Sequence, residues 1–275
     1  MSFQSELGAY IGGNTPLIQI VSHEWERVEG ALMKSTKKHG REYVKWSYAV
    51  GMGLFRDGDW VEESDLPDVL QQEFSTLSAA KNPLEVIKWY IGDPVMGSAA
   101  GYVTPSVLHL EDIHRWFDEE DEEDNTRDLA ATLRYASRNP MGLERTVVLG
   151  TTRPVSLQTI EKEMVILDLP FPGTQDLEIV LSTCAEDASI DLPTDDKGEP
   201  DVDDLINASK GLTVMEARVA YSKVISEHGE ITAENIPEIL EEKRQIIKKS
   251  GFLEFINPLE TSVGGLDSLN EWIIQ

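Results

Sequence analysis

The amino-acid sequence predicts an α/β fold: a mainly parallel five-stranded sheet with helices on both faces, followed by a small all-helical region. Three observations lead to this prediction. Short apolar runs typical of buried strands recur through residues 1–174. Segments with helical patterns stand between them, which favours parallel strands covered on both faces. After residue 174 most apolar residues recur at helical spacing.

The first two predicted strands lie on either side of a long helix. Residues 16–22 (PLIQIVS) form a short apolar run, and residues 41–50 (REYVKWSYAV) alternate and are rich in aromatic and β-branched side chains. Between them, Ser22 is the expected N-cap of the helix and Gly40 its expected end. Residues 51–65 are predicted to form a loop.

The third strand is predicted at residues 106–113 (SVLHLEDI). A helix that begins at Asn82 and Pro83 precedes it, followed by a glycine-containing loop over residues 92–105. The acidic run at residues 118–124 (DEEDEED) is expected to be a solvated loop, because like charges repel and extend the chain.

The last two strands are predicted at residues 145–151 (RTVVLGT) and 164–169 (MVILDL), and a helix over residues 127–138 precedes them. In the helical region, a helix over residues 175–184 leads to an acidic linker over residues 192–204.

Two further helices are predicted beyond the linker. A capping box of Thr213 and Glu216 begins the first. The final helix carries an apolar stripe of Ile236, Ile239, Leu240, Ile246 and Ile247.

Charge and composition exclude several classes of function. The formal net charge of −26 argues against nucleic acid and anionic membranes as partners. The single cysteine, Cys184, excludes an intramolecular disulfide and a cysteine-built metal site. Neither a signal-peptide pattern nor a membrane-spanning apolar run is present, which predicts a cytoplasmic location.

The main chemical question for an α/β chain of this type is whether it contains a phosphate-binding loop. The motif G-x-x-x-x-G-K-[ST] is required between a strand and a helix, where backbone N–H groups and the lysine converge on phosphate. Residues 8–15 (GAYIGGNT) come close, but Asn14 stands in the place of the lysine and the segment precedes the first strand. The correct place is occupied by residues 22–29 (SHEWERVE), which contain no glycine and three carboxylates.

Polar residues at strand ends are weaker candidates. Glu111 and Asp112 end the third predicted strand, where such acids hold Mg²⁺ and orient water in phosphoryl transfer, with a structural role as the alternative. Thr151 ends the fourth strand and is a candidate polar sensor residue, although hydroxyl side chains are common at strand ends without such a role. No metal site is predicted, because His109 and His114 beside the acids do not complete a ligand set.

Several arginines are candidates to reach the nucleotide of a neighbouring subunit. Arg138 is the candidate nucleotide-binding arginine, and the same role is open to Arg134, Arg145 and Arg153, although such arginines are more often surface residues.

The helical region carries the most specific resemblance to a known family. The sequence resembles the AAA ATPase family first described as a hypothetical open reading frame of chloroplasts and cyanobacteria. The resemblance spans most of the chain and is weakest over residues 51–105 and 185–208. It is carried by residues 16–29 (PLIQIVSHEWERVE), 164–172 (MVILDLPFP), 210–217 (KGLTVMEA), 239–255 (ILEEKRQIIKKSGFLEF) and 263–272 (VGGLDSLNEW).

The resemblance implies a degenerate, AAA-like first domain with a sheet of P-loop ATPase type. Residues 1–174 are then the α/β domain, residues 175–257 a helical lid, and residues 258–275 a linker toward a missing second AAA domain. ATP and Mg²⁺ are implied for the complete family protein, and no cofactor is expected for this chain. The family's catalytic lysine, acids and sensors have no matching positions here. The chain is expected to be either a truncated product or a natural stand-alone version of the first domain.

The function expected from these features is that of a non-catalytic module in the assembly or regulation of an ATPase. Its expected partners are the second AAA domain, other copies of itself or an unidentified protein, in the cytoplasm or the plastid stroma. The predicted interface residues are Phe252, Phe255, Leu266, Leu269 and Trp272.

Two alternatives remain open at this stage. One is a weak nucleotide-binding or ATP-hydrolysing domain that uses Glu111 and Asp112. The other is a stand-alone acidic adaptor that binds a basic protein through residues 118–124.

Overall fold

The chain was analysed as a computed structural model, which describes residues 2–92, 102–117, 123–138, 144–155, 160–194 and 201–249, with the backbone alone at residues 123–125 and 249. The chain divides into two compact units between Pro170 and Phe171. The predicted interface residues beyond residue 250 and most of the acidic run lie outside the described residues.

The first unit is built on one seven-stranded sheet. Its strands, in chain order, are β1 (Leu17–Val21), β2 (Glu42–Ser47), β3 (Gly51–Arg56), β4 (Asp59–Trp60), β5 (Ser106–Leu110), β6 (Arg145–Thr151) and β7 (Met164–Asp168). They are arranged as β4-β3-β2-β5-β6-β1-β7. The five predicted strands all form and pair in parallel, whereas β3 and β4 extend the sheet as antiparallel strands.

Helices cover both faces of this sheet, as the alternation of strands and helices predicted. One face packs against α3 (Asp68–Ala80), α4 (Pro83–Ile91) and α5 (Glu123–Arg138). The other packs against α1 (Phe3–Gly12) and α2 (Trp25–Lys38). Because side chains alternate along each strand, β1 supplies Leu17 to the first core and Ile18 to the second.

The prediction of a loop over residues 51–65 is wrong for its first part. Two glycines of this segment permit close packing in the sheet. A Cβ at Gly53 would lie 3.0 Å from the Trp60 ring, and one at Gly51 would lie 2.4 Å from the Ser78 hydroxyl. Asp57 and Gly58 both have positive φ and connect β3 to β4. Asp-Gly is a strong signal for such a hairpin turn, and it was present in the sequence.

The near-match to a phosphate loop belongs to a helix. Ser2 caps α1 by accepting a hydrogen bond from the Ser5 amide, and α1 continues to Gly12. A Cβ at Gly12 would lie 2.6 Å from the His39 ring, so this glycine allows α1 to approach the end of α2. Glycine here serves helix packing.

The second unit contains helices among its described elements: α6 (Thr174–Ala188), α7 (Asp203–Ser209), α8 (Val214–His228) and α9 (Ile236–Lys249). The predicted capping box forms, since the Thr213 amide donates to Glu216 at 2.8 Å. Helix α7 begins inside the segment predicted as a linker. Cys184 is buried in the core of this unit.

The apolar stripe predicted for α9 is only partly buried. Ile239 is fully buried, but the neighbouring Leu240 is 38% exposed. Consecutive helical residues point about 100° apart, so Leu240 lies at the margin of the stripe while Ile239 faces the core. Among the described residues, no helix is long and apolar enough to cross a bilayer.

Candidate functional site

The carboxyl ends of β1 and β6 define the candidate site. The chain leaves β1 toward β2, passing β6 and β5, whereas it leaves β6 toward β7, passing β1. Open parallel sheets bind ligands outside the carboxyl ends of the strands, at the point where the connections diverge in this way. The residues that follow β1, β5 and β6 therefore determine what this site can hold.

The turn after β1 is closed by hydrogen bonds and an ion pair. The Ser22 amide donates to the Thr151 carbonyl at 2.8 Å, and the Ser22 hydroxyl accepts from the Glu24 amide at 2.9 Å. Helix α2 then begins at Trp25, with Glu24 as N-cap. The prediction of Ser22 as N-cap is therefore two residues early, because its hydroxyl closes the turn that precedes the helix.

Glu24 and Arg27 occupy the first turn of α2. The Arg27 guanidinium donates to the Glu24 carboxylate at 2.6 Å and to the Pro170 carbonyl at 2.9 Å. Their side chains are only 10% and 22% exposed, respectively. A carboxylate at the amino end of a helix is favourable because of the helix dipole. The chain thus supplies its own anion where a phosphate would otherwise approach.

The acid at the end of β5 is held by a lysine. Lys45 Nζ lies 2.7 Å from Glu111 and 3.2 Å from Glu29, and all three side chains are about one-fifth exposed. Burial alone would lower the pKa of Lys45, but hydrogen bonds and charges from the two glutamates outweigh burial and raise it. Asp112 follows in a left-handed turn with φ of 57°. The structure therefore places Glu111 in an ion-pair network with β2 and α2.

His109 is part of the core beneath this network. It is fully buried, and its Nδ1 lies 2.8 Å from the Tyr43 hydroxyl. Burial, and then the charge of Lys45, lower the pKa of His109 to about 3. The imidazole is neutral at neutral pH and stands against Gly150, where an added Cβ would lie 2.7 Å from its Nε2. His114, the other histidine near the acids, lies 3.4 Å from the Thr152 hydroxyl.

Thr151, the candidate sensor, faces a residue that sequence reasoning missed. Gln19 Nε2 donates to the Thr151 hydroxyl at 2.9 Å and to the Arg153 carbonyl at 3.4 Å. Gln19 and Thr151 are both fully buried. The available signal was a lone amide inside the apolar run of β1, since a buried amide requires a hydrogen-bonding partner. The pair links β1 to β6 at the switch point.

Three of the candidate arginines lie on two elements, with Arg134 and Arg138 on α5 and Arg145 at the start of β6. Arg138 lies at the end of α5 and pairs with Glu163 at 2.9 Å. Arg145 donates to the backbone carbonyls of Tyr90 and Tyr102 and so connects β6 to the segment around α4. Arg134 is exposed on α5.

The strand order and the switch point define an open α/β protein, and comparisons with known proteins support a more specific assignment. The model of the SpoVK-like AAA ATPase N-terminal domain matches residues 3–169. The model of the SpoVK-like AAA ATPase second domain matches residues 175–250. The chain belongs to the SpoVK-like AAA ATPase family.

Individual relatives are distant. The AAA domain-containing protein ycf46 of Guillardia theta is 24% identical over 276 residues, which cover 99% of this chain and 47% of the relative. The corresponding protein of Trieres chinensis is 22% identical over 277 residues, or 99% of this chain and 48% of the relative. The chain thus spans about half the length of these relatives.

Similar solved structures include the HORMA:CdnC:Trip13 complex of E. coli MS115-1. One chain of that complex is 11% identical and has a TM-score of 0.49, with 92% of this chain and 88% of that chain covered. The structure of C. elegans PCH-2 has a TM-score of 0.48 at 9% identity, with 89% and 69% covered.

Proposed function

We propose that this chain is a non-catalytic AAA-like module that contributes to the assembly or regulation of an ATPase. The observation that carries the proposal is the Glu24–Arg27 ion pair in the turn between β1 and α2. Family membership supports the ATPase context.

The residues of this turn do not fit the phosphates of a nucleotide. Phosphate binding there needs backbone N–H groups that a ligand can reach and a lysine that neutralises charge. Here the turn lacks glycine and lysine, and the nearby Arg27 already binds a carboxylate and a backbone carbonyl. A phosphate would have to displace Glu24 and would meet the charges of Glu26 and Glu29 nearby. ATP and Mg²⁺ are accordingly proposed for the complete family protein and not for this chain.

The rival function, weak hydrolysis through Glu111 and Asp112, is less well supported because Lys45 already pairs with Glu111. ATP turnover by the purified chain tests the two functions directly. We expect no turnover above that of the double variant Glu111→Gln, Asp112→Asn. Turnover that falls in the double variant contradicts the proposal and favours the enzyme.

The assembly role rests on the apolar tail of residues 252–274, whose proposed interface residues remain a prediction from sequence. A dense series of apolar residues such as this one requires cover wherever it is exposed to solvent. In light scattering, we expect copies of the full chain to associate with one another as the protein concentration rises. Deletion of residues 258–275 should abolish this self-association. A strictly monomeric full chain with a strongly protected tail in hydrogen exchange contradicts the role. The cytoplasmic or plastid-stromal location remains a prediction.

A further inference from the structure

A groove of about 400 Å³ lies along the outer surface of α5. Its lining is mostly apolar and is contributed by Arg127, Arg134, Arg138, Tyr135, Ala130 and Ala131, so the three guanidinium groups border the groove. Helix α5 itself is anchored by Leu129 and Leu133, which are buried in the core of the first unit. The groove is therefore built on a fixed element.

The three arginines form one straight row. Positions seven and eleven residues after Arg127 return to within about 20° of the same side of a helix, because each residue turns the helix by about 100°. Along the axis, Arg134 stands about 10 Å from Arg127, and Arg138 about 6 Å further on. A single small anion is too short to reach all three. The row suits an elongated ligand with repeated negative charges.

The arginines are accessible for such a ligand. All three are exposed. Within the part of the chain that the structure describes, Arg127 and Arg134 have no hydrogen-bond or ion-pair partner. Arg138 is bound by the Glu163 carboxylate at 2.9 Å. One guanidinium of the row therefore already binds the type of group that we expect for the others.

We propose that this groove binds an acidic peptide segment of a partner protein. Arginine clusters recognise carboxylates through paired N–H donors. An extended segment with acids at alternate residues carries one carboxylate about every 7 Å on one side, which matches a row of this length. The small side chains of Ala130 and Ala131 leave space for the peptide backbone. The proposal goes beyond the proposed function, since it requires neither a bound nucleotide nor assembly with an ATPase.

The charge of the chain favours a short acidic peptide over nucleic acid. The chain has a formal net charge of −26, so a long polyanion is repelled wherever it extends past the groove. A peptide with a few acids and neutral flanks places negative charge only beside the arginines.

The experiment uses the full chain and a labelled twelve-residue peptide of alternating Glu and Ser, followed by fluorescence anisotropy at low salt. We expect the peptide to bind, the matching Gln and Ser peptide not to bind, and added salt to weaken the complex. The variant Arg127→Gln, Arg134→Gln should bind at least about fivefold more weakly. The control Lys34→Gln, Lys38→Gln makes the same change of charge on α2, against the opposite face of the sheet, and should bind within about twofold of the original chain.

Four results overturn the proposal. They are absence of any peptide binding, equal binding of the Glu and Gln peptides, equal loss in the arginine and lysine variants, and tighter binding of a labelled twelve-nucleotide oligothymidine than of the Glu peptide. The two arginine positions are exposed, and a urea midpoint within error of the original chain will show that the variant is folded.

Discussion

The Arg27 guanidinium donates to the Glu24 carboxylate at 2.6 Å across the first turn of α2, directly after β1. The same guanidinium donates to the Pro170 carbonyl at 2.9 Å and so ties this turn to the chain just beyond β7. The position that faces the switch point of the sheet is therefore filled by side chains of the chain itself.

Replacing Arg27 with Met should destabilise the first unit by about 1–3 kcal/mol, because it leaves a mostly buried carboxylate without this partner. Urea denaturation of the full chain measures the effect. The control is Lys88→Met, which breaks an exposed pair with Glu85 and should cost less than about 0.5 kcal/mol. Equal losses in the two variants would show that the Glu24–Arg27 pair is an ordinary surface pair.

The contact between Gly150 and His109 predicts a steric effect. An added Cβ at Gly150 would lie 2.7 Å from His109 Nε2 and 3.2 Å from the Leu110 carbonyl oxygen. Gly150→Ala should therefore cost about 1–3 kcal/mol of unfolding free energy. Gly30→Ala is the matched control, since nothing lies within 4 Å of its added Cβ. Gly30 is inside α2, so alanine there should stabilise by about 0.5–1 kcal/mol. A neutral Gly150→Ala would contradict the packing of His109.

Ile239 and Leu240 should differ sharply when each is truncated. Ile239→Ala removes a fully buried side chain and should cost about 2–5 kcal/mol. Leu240→Ala removes a side chain that is 38% exposed and should cost less than about 1.5 kcal/mol. Urea midpoints of the two variants test the arrangement, and the reverse order of effects would mean that α9 is rotated.

Burial of neutral His109 makes stability depend on pH. Its folded-state pKa of about 3 lies below the ordinary value of 6.5. Between these values the unfolded chain holds a proton that the folded chain lacks. The contribution of neutral His109 to the unfolding free energy is therefore present above pH 6.5 and is lost as the pH falls toward the folded-state pKa. Between about pH 6 and the folded-state pKa of about 3, the loss should approach about 1.4 kcal/mol per pH unit.

Comparison with His109→Gln isolates this contribution, because both proteins share the same carboxylates. We expect the unfolding free energy of the original chain to fall more steeply on acidification than that of the variant. Parallel pH profiles would show that the imidazole can become charged in the folded state.

The predictions that succeeded concern local patterns. Strands β1, β5, β6 and β7 are short apolar runs, and the Thr213–Glu216 capping box is visible within four residues. Strands β3 and β4 were missed although the Asp57-Gly58 turn signal was present in the sequence. The reason for Gly51 and Gly53, which admit Ser78 and Trp60, is tertiary and is not visible in the local sequence.

Two features of the site that were missed are pairings between distant segments. Gln19 and Thr151 are 132 positions apart, and they meet only because β1 and β6 are neighbours in the sheet. Lys45 reaches Glu111 because β2 pairs with β5 in parallel. The local sequence identified Glu111 and Thr151 as strand-end residues. Their partners, Lys45 and Gln19, depend on the strand order and are not visible in the local sequence.

Calorimetric titration of the full chain with ATP in the presence of Mg²⁺ tests the central claim most directly. With Glu24 and Arg27 filling the turn after β1, we predict no heat of binding at micromolar ATP. A dissociation constant in the low micromolar range or tighter would contradict the account, because it requires about 7–8 kcal/mol of binding free energy that this turn has no lysine or glycine-rich backbone to supply.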